Sequence, residues 1–582
     1  MREQQQHTFS THDGVELFYR HWPATAGAGP RKAILLFHRG HEHSGRIAHL
    51  VEELGLPEFD FFAWDARGHG QSPGERGDSP SFATSARDVQ TFCDHINATY
   101  GIEEEDLAVI AQSVGAVIAA TWVHDYAPKI RALVLASPAF KVKLYVPFAH
   151  PGLALMRKFR GNFFVNSYVK AKFLSHDPER VASYDNDPLI TKAISVNVLL
   201  GLYEAADRVV ADAQAIQVPT QLLISGSDFV VHRKPQQQFF DRLGSLKKEL
   251  HILPGFFHDT LGERDRAVAV SSAKRFILQN FAHPRDRANL LDADKLGATC
   301  AESESLAAPL PRNSLRDLYW RMTRASMGLG KNLSDGVKLG FDTGFDSGST
   351  LDYVYRNKPA GKGGLGRMID TNYLNSIGWR GIRQRKLNVE ELLRLAMAKL
   401  RDDQREVRIV DIAAGHGRYI LEALQGVSPL PESILLRDYS DINVRDGGAL
   451  IREKGLGDIA QFVKGDAFDR ADLAALDPKP TLAVVSGLYE LFADNAMVGG
   501  SLAGLAEAVE PGGYLVYTGQ PWHPQLELIA RALTSHRQGQ AWVMRRRSQA
   551  EMDQLVEAAG FRKITQRVDE WGIFTVSLAQ KI

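Results

Sequence analysis

The sequence predicts two α/β domains in series, and three observations carry that prediction. Short apolar runs alternate with helix-period stretches from 14 to about 281, and again from about 407 to the end. A stretch rich in Ala, Ser, Pro and charge, 283–313, separates them. In each half one apolar run stops at a turn of small residues: Ala111-Gln112-Ser113-Val114-Gly115 in the first, Ala413-Ala414-Gly415-His416-Gly417 in the second.

Bulk properties narrow the class. The 582 residues are 44% hydrophobic and 24% charged, with a formal net charge of zero. Those are the proportions of an ordinary globular protein. Balanced charge argues against a nucleic-acid partner. Cys93 and Cys300 are far apart and form no C-x-x-C. Neither a disulfide framework nor a structural zinc is expected, and a reducing, cytoplasmic location is. The N-terminal stretch has no apolar core of signal-peptide length. No run reaches about 18 apolar residues, so no spanning helix is expected.

In the first half, 1–282, the predicted strands are "KAILLFH", "FDFFAWD", "DLAVIAQ", "RALVLAS", "TQLLISG" and "KELHILP". Strands separated by helical stretches imply a mostly parallel sheet covered on both faces. The segment 283–313 reads as a linker. A helical and Gly-rich region, 314–404, precedes the second core, 405–582. Its predicted strands are "VRIVDIA", "SILLRDY", "AQFVKGD", "TLAVVSG", "GGYLVYTG" and "WGIFTVSLAQ".

The third strand of the first half runs into Ser113. A serine between small residues, where a strand becomes a helix, is the pattern of a nucleophile elbow; it is also a common helix N-cap. The nucleophile reading requires a histidine to accept the hydroxyl proton and an acid to orient that histidine. "GSDFVVH" offers Asp228 after one strand and "GFFHDTLGE" offers His258 after the next, in the order Ser, acid, His. Asp259 and His232 are neighbouring alternatives, read as solvated loop residues. An oxyanion hole needs two backbone N–H donors. Val114 is one candidate and Gly40, in "FHRGHEHSGR", is the other. His38, His41 and His43 share that loop, but Glu42 is their sole nearby carboxylate, so no metal is expected.

These motifs, with "AWDARGHGQSPG" and "DPLITKAISVNVLLGLYEA", resemble the monoacylglycerol lipase and lysophospholipase branch of the α/β-hydrolases, over about 10–282. The resemblance implies that Ser113, Asp228 and His258 are catalytic. It also implies a helical cap, about 141–212, inserted after "RALVLASPAF". Two positions depart from the family pattern. Ala111 replaces the first elbow glycine. Arg39 follows His38 where glycine is usual, so a reshaped hole is expected. Between Lys141 and Lys172 there are seven Lys or Arg and no Asp or Glu, interleaved with aromatic residues. Such a cap suits either an anionic membrane surface or a solvated helical face.

In the second half, Asp411-x-Ala413-x-Gly415-x-Gly417 follows a strand. Ile420 stands where a dinucleotide loop would need a small residue. Asp438 ends the next strand and Asp466 the one after. The set resembles the class I S-adenosylmethionine-dependent methyltransferases, over about 313–582. That implies a Rossmann-like core with Asp411, Ala413, Gly415 and Gly417 around the methionine part of S-adenosylmethionine, Asp438 at its ribose and Asp466 at its adenine. Tyr373, Trp379 and Arg380 are candidates for a substrate lid. The whole chain resembles bacterial fusions of the two folds.

The functional expectation is therefore bifunctional. A serine hydrolase acts on a lipid-like ester, a lysophospholipid or monoacylglycerol, and a methyltransferase acts on an acceptor the sequence does not identify. The alternative is a lipid-binding, membrane-docking protein whose hydrolase half has lost its chemistry.

Overall fold

The computed structural model describes residues 2–27, 29–145, 148–167, 169–537 and 539–582. The chain divides into two compact units, Met1–Ala288 and Asn289–Ile582.

Among the described residues, the first unit is built on eight strands: β1 (Gln5–Ser10), β2 (Glu16–Trp22), β3 (Lys32–Phe37), β4 (Phe59–Trp64), β5 (Leu107–Gln112), β6 (Ala132–Ala136), and, after an insertion holding the short ribbon β7 (Phe164–Asn166) and β8 (Ala193–Ser195), β9 (Thr220–Ser225) and β10 (Lys248–Leu253). Their order is β1-β2-β4-β3-β5-β6-β9-β10. The β1–β2 and β2–β4 pairs are antiparallel and the rest are parallel. The central strands β3 to β6 are nearly continuous apolar runs because helices cover both faces. The helix Val114–Tyr126 is buried on almost every side. Its sequence has no polar stripe; it buries His124, held by Asp125 and Asp212, Asp125, held by Arg208, and Thr121, whose hydroxyl has no partner among the described residues. Each Val or Ile it buries is worth roughly 1.5–3 kcal/mol. The helix therefore anchors the turn that precedes it. The insertion after β6 carries the helices Ala149–Arg160, Pro178–Asn186 and Val196–Ala211.

The second unit orders its strands β13-β12-β11-β14-β15-β17-β16, where β11 is Arg408–Asp411, β12 Ser433–Asp438, β13 Ala460–Lys464, β14 Leu482–Val485, β15 Tyr514–Gly519, β16 Phe561–Val568 and β17 Thr575–Lys581. Among the described residues of this sheet, the strand pairs made by β17 are antiparallel and the others parallel. This is a Rossmann-like sheet whose strand order reverses beside β11, the place where such sheets open a binding crevice. Before it come the helices Leu315–Gly330, Asp335–Thr343, Gly348–Arg356, Gly363–Leu374 and Ile377–Asp402.

The expected linker is corrected. Residues 289–308 are packed on the second unit and include the helix Ala298–Ala307. Asp294 accepts from the Asn495 N–H (2.9 Å), Thr299 from Arg545 (3.0 Å), and Arg531 donates to the Ala308 carbonyl (2.6 Å). Their composition reads as linker because the partners, an asparagine and two arginines, lie more than two hundred residues away in the chain.

Candidate active sites

β5 ends at Gln112 and a helix begins at Val114, so one residue, Ser113, makes the whole turn. Its backbone sits at φ +56°, ψ −116°. Holding a non-glycine residue there costs on the order of 1–3 kcal/mol and requires over-determined surroundings. The Ser113 N–H donates to the Ala136 carbonyl (3.0 Å), and the Ala139 N–H donates to the Ser113 carbonyl (3.1 Å). A Cβ on Gly115 would lie 2.3 Å from the His38 carbonyl oxygen, so glycine is what lets the helix pass this close to β3. Ala111 lies inside β5, paired with Phe37 and Leu135, and its methyl is absorbed in the sheet core. The Ser113 side chain makes no N-cap hydrogen bond. Its Oγ lies 2.7 Å from His258 Nε2 instead.

His258 Nδ1 is 2.7 Å from Asp228 Oδ2. The other oxygen, Asp228 Oδ1, accepts from the N–H groups of Val230 (2.7 Å) and Val231 (2.9 Å). Burial works to raise the Asp228 pKa, but the charge of His258 and these hydrogen bonds together hold it below the ordinary carboxylate value. With the imidazole proton on Nδ1 facing the carboxylate, Nε2 is free to accept from Ser113. Gly40 adjoins Val114: a Cβ on Gly40 would lie 2.8 Å from Val114 Cγ2. Among the described residues, neither backbone N–H donates to a protein acceptor. His38 steadies this loop, Nδ1 donating to the Arg39 carbonyl (2.6 Å) and Nε2 accepting from the Ala66 N–H (3.1 Å). His43 turns to Asp187 instead (2.9 Å), so these two histidines serve separate partners.

Arg39 does not point into the hole. It is buried and clasps Glu42 with two hydrogen bonds, 2.6 and 3.0 Å. Its Nε also lies 3.6 Å from Asp259 Oδ1. Asp259 is not solvated as expected: it is 1% exposed. It accepts from Arg180 Nε (2.6 Å) and Gln112 Nε2 (2.9 Å). Burial works to raise its pKa, but Arg180 and Arg39 hold it far below the carboxylate range. Arg46 completes the group, 3.4 Å from Glu42. Sequence reasoning missed this network of three arginines and two carboxylates. Through Gln112 and Asp259 it abuts the residues next to Ser113 and His258, and through Arg180 it reaches the insertion.

The insertion presents an unusual surface. The helix Ala149–Arg160 has no buried residue; Phe148 before it is 85% exposed and Phe159 82%. Arg157, Lys158 and Arg160 lie in its last turn.

In the second unit, a cavity of about 720 Å³ opens at the C-terminal ends of β11 to β14, lined by Ala413, Gly415, Gly417, Asp438 and Asp466 among others. Gly415 and Gly417 have φ +58° and +71°. A Cβ on Gly417 would lie 2.4 Å from Leu436 Cδ1. Asp438 Oδ2 accepts from the Gly415 N–H (2.9 Å), and Oδ1 accepts from Ser440 N–H and Asn443 Nδ2 (both 2.9 Å). Oδ2, with one donor, keeps acceptor capacity for a ligand hydroxyl. Asp466 is exposed, with Oδ1 on the Phe468 N–H (2.9 Å). Two strand-end carboxylates facing a glycine turn suit a nucleoside with a free diol, and the volume is in the range of cofactor sites.

Asp411 is a correction. It is 0% exposed and lies under the turn rather than on the cavity wall. Its oxygens accept from Tyr419 Oη (2.6 Å) and the Ala413 N–H (3.3 Å). As the last residue of β11 it points into the core, and burial lifts its pKa to about 7. Of the lid candidates, Tyr373 and Trp379 line a second cavity of about 140 Å³. Arg380 is exposed and stacks over Trp571, 4.5 Å from the ring centre. Asp352, unforeseen, ties the lid to the glycine turn through Arg418 (2.6 Å).

Residues 273–581 match the family model described as "Putative methyltransferase", and residues 28–265 match the model "Serine aminopeptidase, S33". Over 575 residues the chain is 57% identical to the uncharacterized protein YnbC of Escherichia coli K12, covering 99% of this chain and 98% of that one. Its first half is 26% identical over 288 residues to a monoacylglycerol lipase of Mycolicibacterium smegmatis, 47% of this chain and 98% of that protein. It is 29% identical over 256 residues to the monoglyceride lipase of Homo sapiens, 42% of this chain and 80% of that protein. The crystal structure of Paleococcus ferrophilus monoacylglycerol lipase aligns over 46% of this chain and all of its own, with 22% identity and a TM-score of 0.41.

Proposed function

We infer, from a chain that belongs to the "Putative methyltransferase" family and whose first unit is related to monoacylglycerol lipases, that two chemistries share one polypeptide. The first is hydrolysis of a lipid-like ester, a monoacylglycerol or lysophospholipid, by Ser113. The observation that supports it most is the unbroken chain from Ser113 Oγ through His258 to Asp228, two contacts of 2.7 Å. His258 Nε2 takes the hydroxyl proton as Oγ attacks the ester carbonyl. Asp228 steadies the imidazolium, and the N–H groups of Gly40 and Val114 receive the oxyanion. His258 returns the proton to the departing alcohol, then activates water to release the acid. A fluorophosphonate probe tests this on the full chain. Labelling that disappears in Ser113→Ala supports it; folded protein that never labels sinks it and favours the lipid-binding alternative.

The second chemistry is methyl transfer from S-adenosylmethionine. Gly415 and Gly417 leave room for the methionine part, Asp438 accepts from the ribose hydroxyls, and Asp466 adjoins the adenine. The bound group would supply an electrophilic methyl on sulfonium; the protein's part is mostly positioning. Calorimetry reads this directly: saturable S-adenosylmethionine binding, weakened at least tenfold in Asp438→Ala. Absence of binding by the intact protein ends the proposal.

The basic, aromatic helix Ala149–Arg160 is the surface by which the first unit would meet an anionic membrane. Its exposed Leu155 and Phe159 would enter the interface while its cations meet lipid phosphates.

A further inference from the structure

We propose that the smaller cavity of the second unit receives a neutral, ring-sized hydroxyl compound, a phenol in chemical class, and that Glu490 takes the hydroxyl proton as the oxygen is methylated. This rests on reading the neighbouring cavity as a methyl-donor site. The two cavities share the wall residues Asp346, Leu351, Gly487 and Leu491, so a methyl presented at that wall has an acceptor chamber beside it.

The chamber measures about 140 Å³ and is walled by Trp379, Trp542, Phe574, Met327, Met544 and Ile529 among others. An apolar cavity of roughly 150 Å³ takes up one benzene ring and excludes a long acyl chain. Five residues of this wall carry a polar atom with no hydrogen-bond partner among the described residues: Glu490 Oε2, Arg385 Nε, Gln520 Nε2, Trp542 Nε1 and Tyr373 Oη. The first four residues are at least nine-tenths buried, and Tyr373 is half-buried. Buried polar atoms are ordinarily satisfied, and a cluster of exceptions around one cavity is what a missing polar ligand leaves behind. Three are N–H donors, one is a hydroxyl and one is a carboxylate oxygen. They match a ligand that accepts hydrogen bonds and gives one proton.

The electrostatics select against charge. Arg385 and Glu490 pair at 2.8 Å and cancel one another. His523 also lines the chamber; its Nδ1 accepts from the Gln525 N–H (3.0 Å). Burial holds its pKa down at about 4, so it is neutral and carries its proton on Nε2. A phosphate or carboxylate group would enter beside the Asp346 carboxylate, with Arg385 already taken by Glu490, at a large desolvation cost. A neutral phenol would not. In the transfer, the hydroxyl oxygen forms a bond to the methyl carbon while that carbon's bond to the sulfonium sulfur breaks. The bonding pair stays on sulfur, and the proton passes to Glu490 Oε2.

The test uses the full chain and two measurements. Calorimetry follows binding of phenol and catechol, with phosphoethanolamine and benzoate as charged comparisons; mass spectrometry follows methyl ether formation when S-adenosylmethionine is added. Saturable binding of the phenols alone, with ether formed, is the expected result. Glu490→Gln should lower ether formation at least a hundredfold while leaving S-adenosylmethionine binding intact. Because that change also disturbs Arg385, Trp542→Phe provides a second variant: it removes an unpartnered N–H, so thermal stability should hold or rise while phenol binding weakens about fivefold. Phenols that fail to bind, or bind without ether formation, in a protein that does bind S-adenosylmethionine overturn this proposal alone, as does a charged comparison binding in their place. Failure of S-adenosylmethionine to bind overturns the underlying reading, and the proposal with it.

Discussion

Replacing Arg39 with alanine separates two roles for the residue that precedes Gly40, the candidate oxyanion donor. If Arg39 merely crowds the oxyanion hole, its removal should help. The structure places it in a buried ion network, so removal should harm. Alanine deletes two charge-assisted hydrogen bonds to Glu42, at 2.6 and 3.0 Å, each worth roughly 1.5–3 kcal/mol. Glu42 keeps only the longer contact to Arg46 (3.4 Å), while Asp259 keeps Arg180 (2.6 Å). Both carboxylates stay buried. Breaking such a pair on one side costs about 3–5 kcal/mol. In a unit of this size that lowers the melting temperature by roughly 10 °C. The Glu42 and Asp259 segments flank Gly40 and His258, so hydrolysis of 4-nitrophenyl butyrate should fall at least tenfold in kcat/KM. Arg39→Lys, which keeps the charge but one donor group, should fall in between. An Arg39→Ala protein that melts normally and hydrolyses faster would refute the reasoning.

Asp411→Asn should flatten a pH dependence in the second unit. The native carboxyl is lifted to about 7 by burial, so the folded chain holds its proton more tightly than the unfolded one. Its stability contribution is then complete below about pH 4 and is lost as pH climbs through about 7. Hydrogen exchange of the Val410–Tyr419 peptides should show protection declining from pH 5 to 8 in the native chain, after correction for intrinsic exchange rates, and level in Asp411→Asn; equal slopes would place an ionised carboxylate there. Gly417→Ala strains a φ of +71° and drives a methyl against Leu436, so S-adenosylmethionine affinity should drop at least tenfold by calorimetry. Leu155→Ser with Phe159→Ser should abolish co-sedimentation with phosphatidylserine vesicles and leave fluorophosphonate labelling unchanged; retained binding would remove that helix from the contact.

The alternation of apolar runs made the two sheets legible. A strand buried on both faces reads as a nearly continuous apolar run, and β3 to β6 do so, with the buried Asp60 of β4 paired to His21 and Arg31. β1 and β2 were not foreseen. They lie at the sheet's antiparallel end, where mixed polarity such as "QQHTFS" blurs the pattern. Ser113, Asp228 and His258 could be read because each follows a strand, and strand ends on one edge of a parallel sheet converge. Asp438 and Asp466 follow the same rule; Asp411 was misplaced because its position in the motif does not reveal that it faces inward.

By itself, the order of residues determined where strands stop and which side chains stand at those stops, since both depend on neighbours a few positions away. Folding alone decided that Arg39 would seek Glu42 and Asp259 instead of the hole, and that Glu490, Arg385, Gln520 and Trp542 would line one chamber. Those outcomes depend on which distant charges share a low-dielectric interior, where an unpaired group is costly and a paired one is held fast.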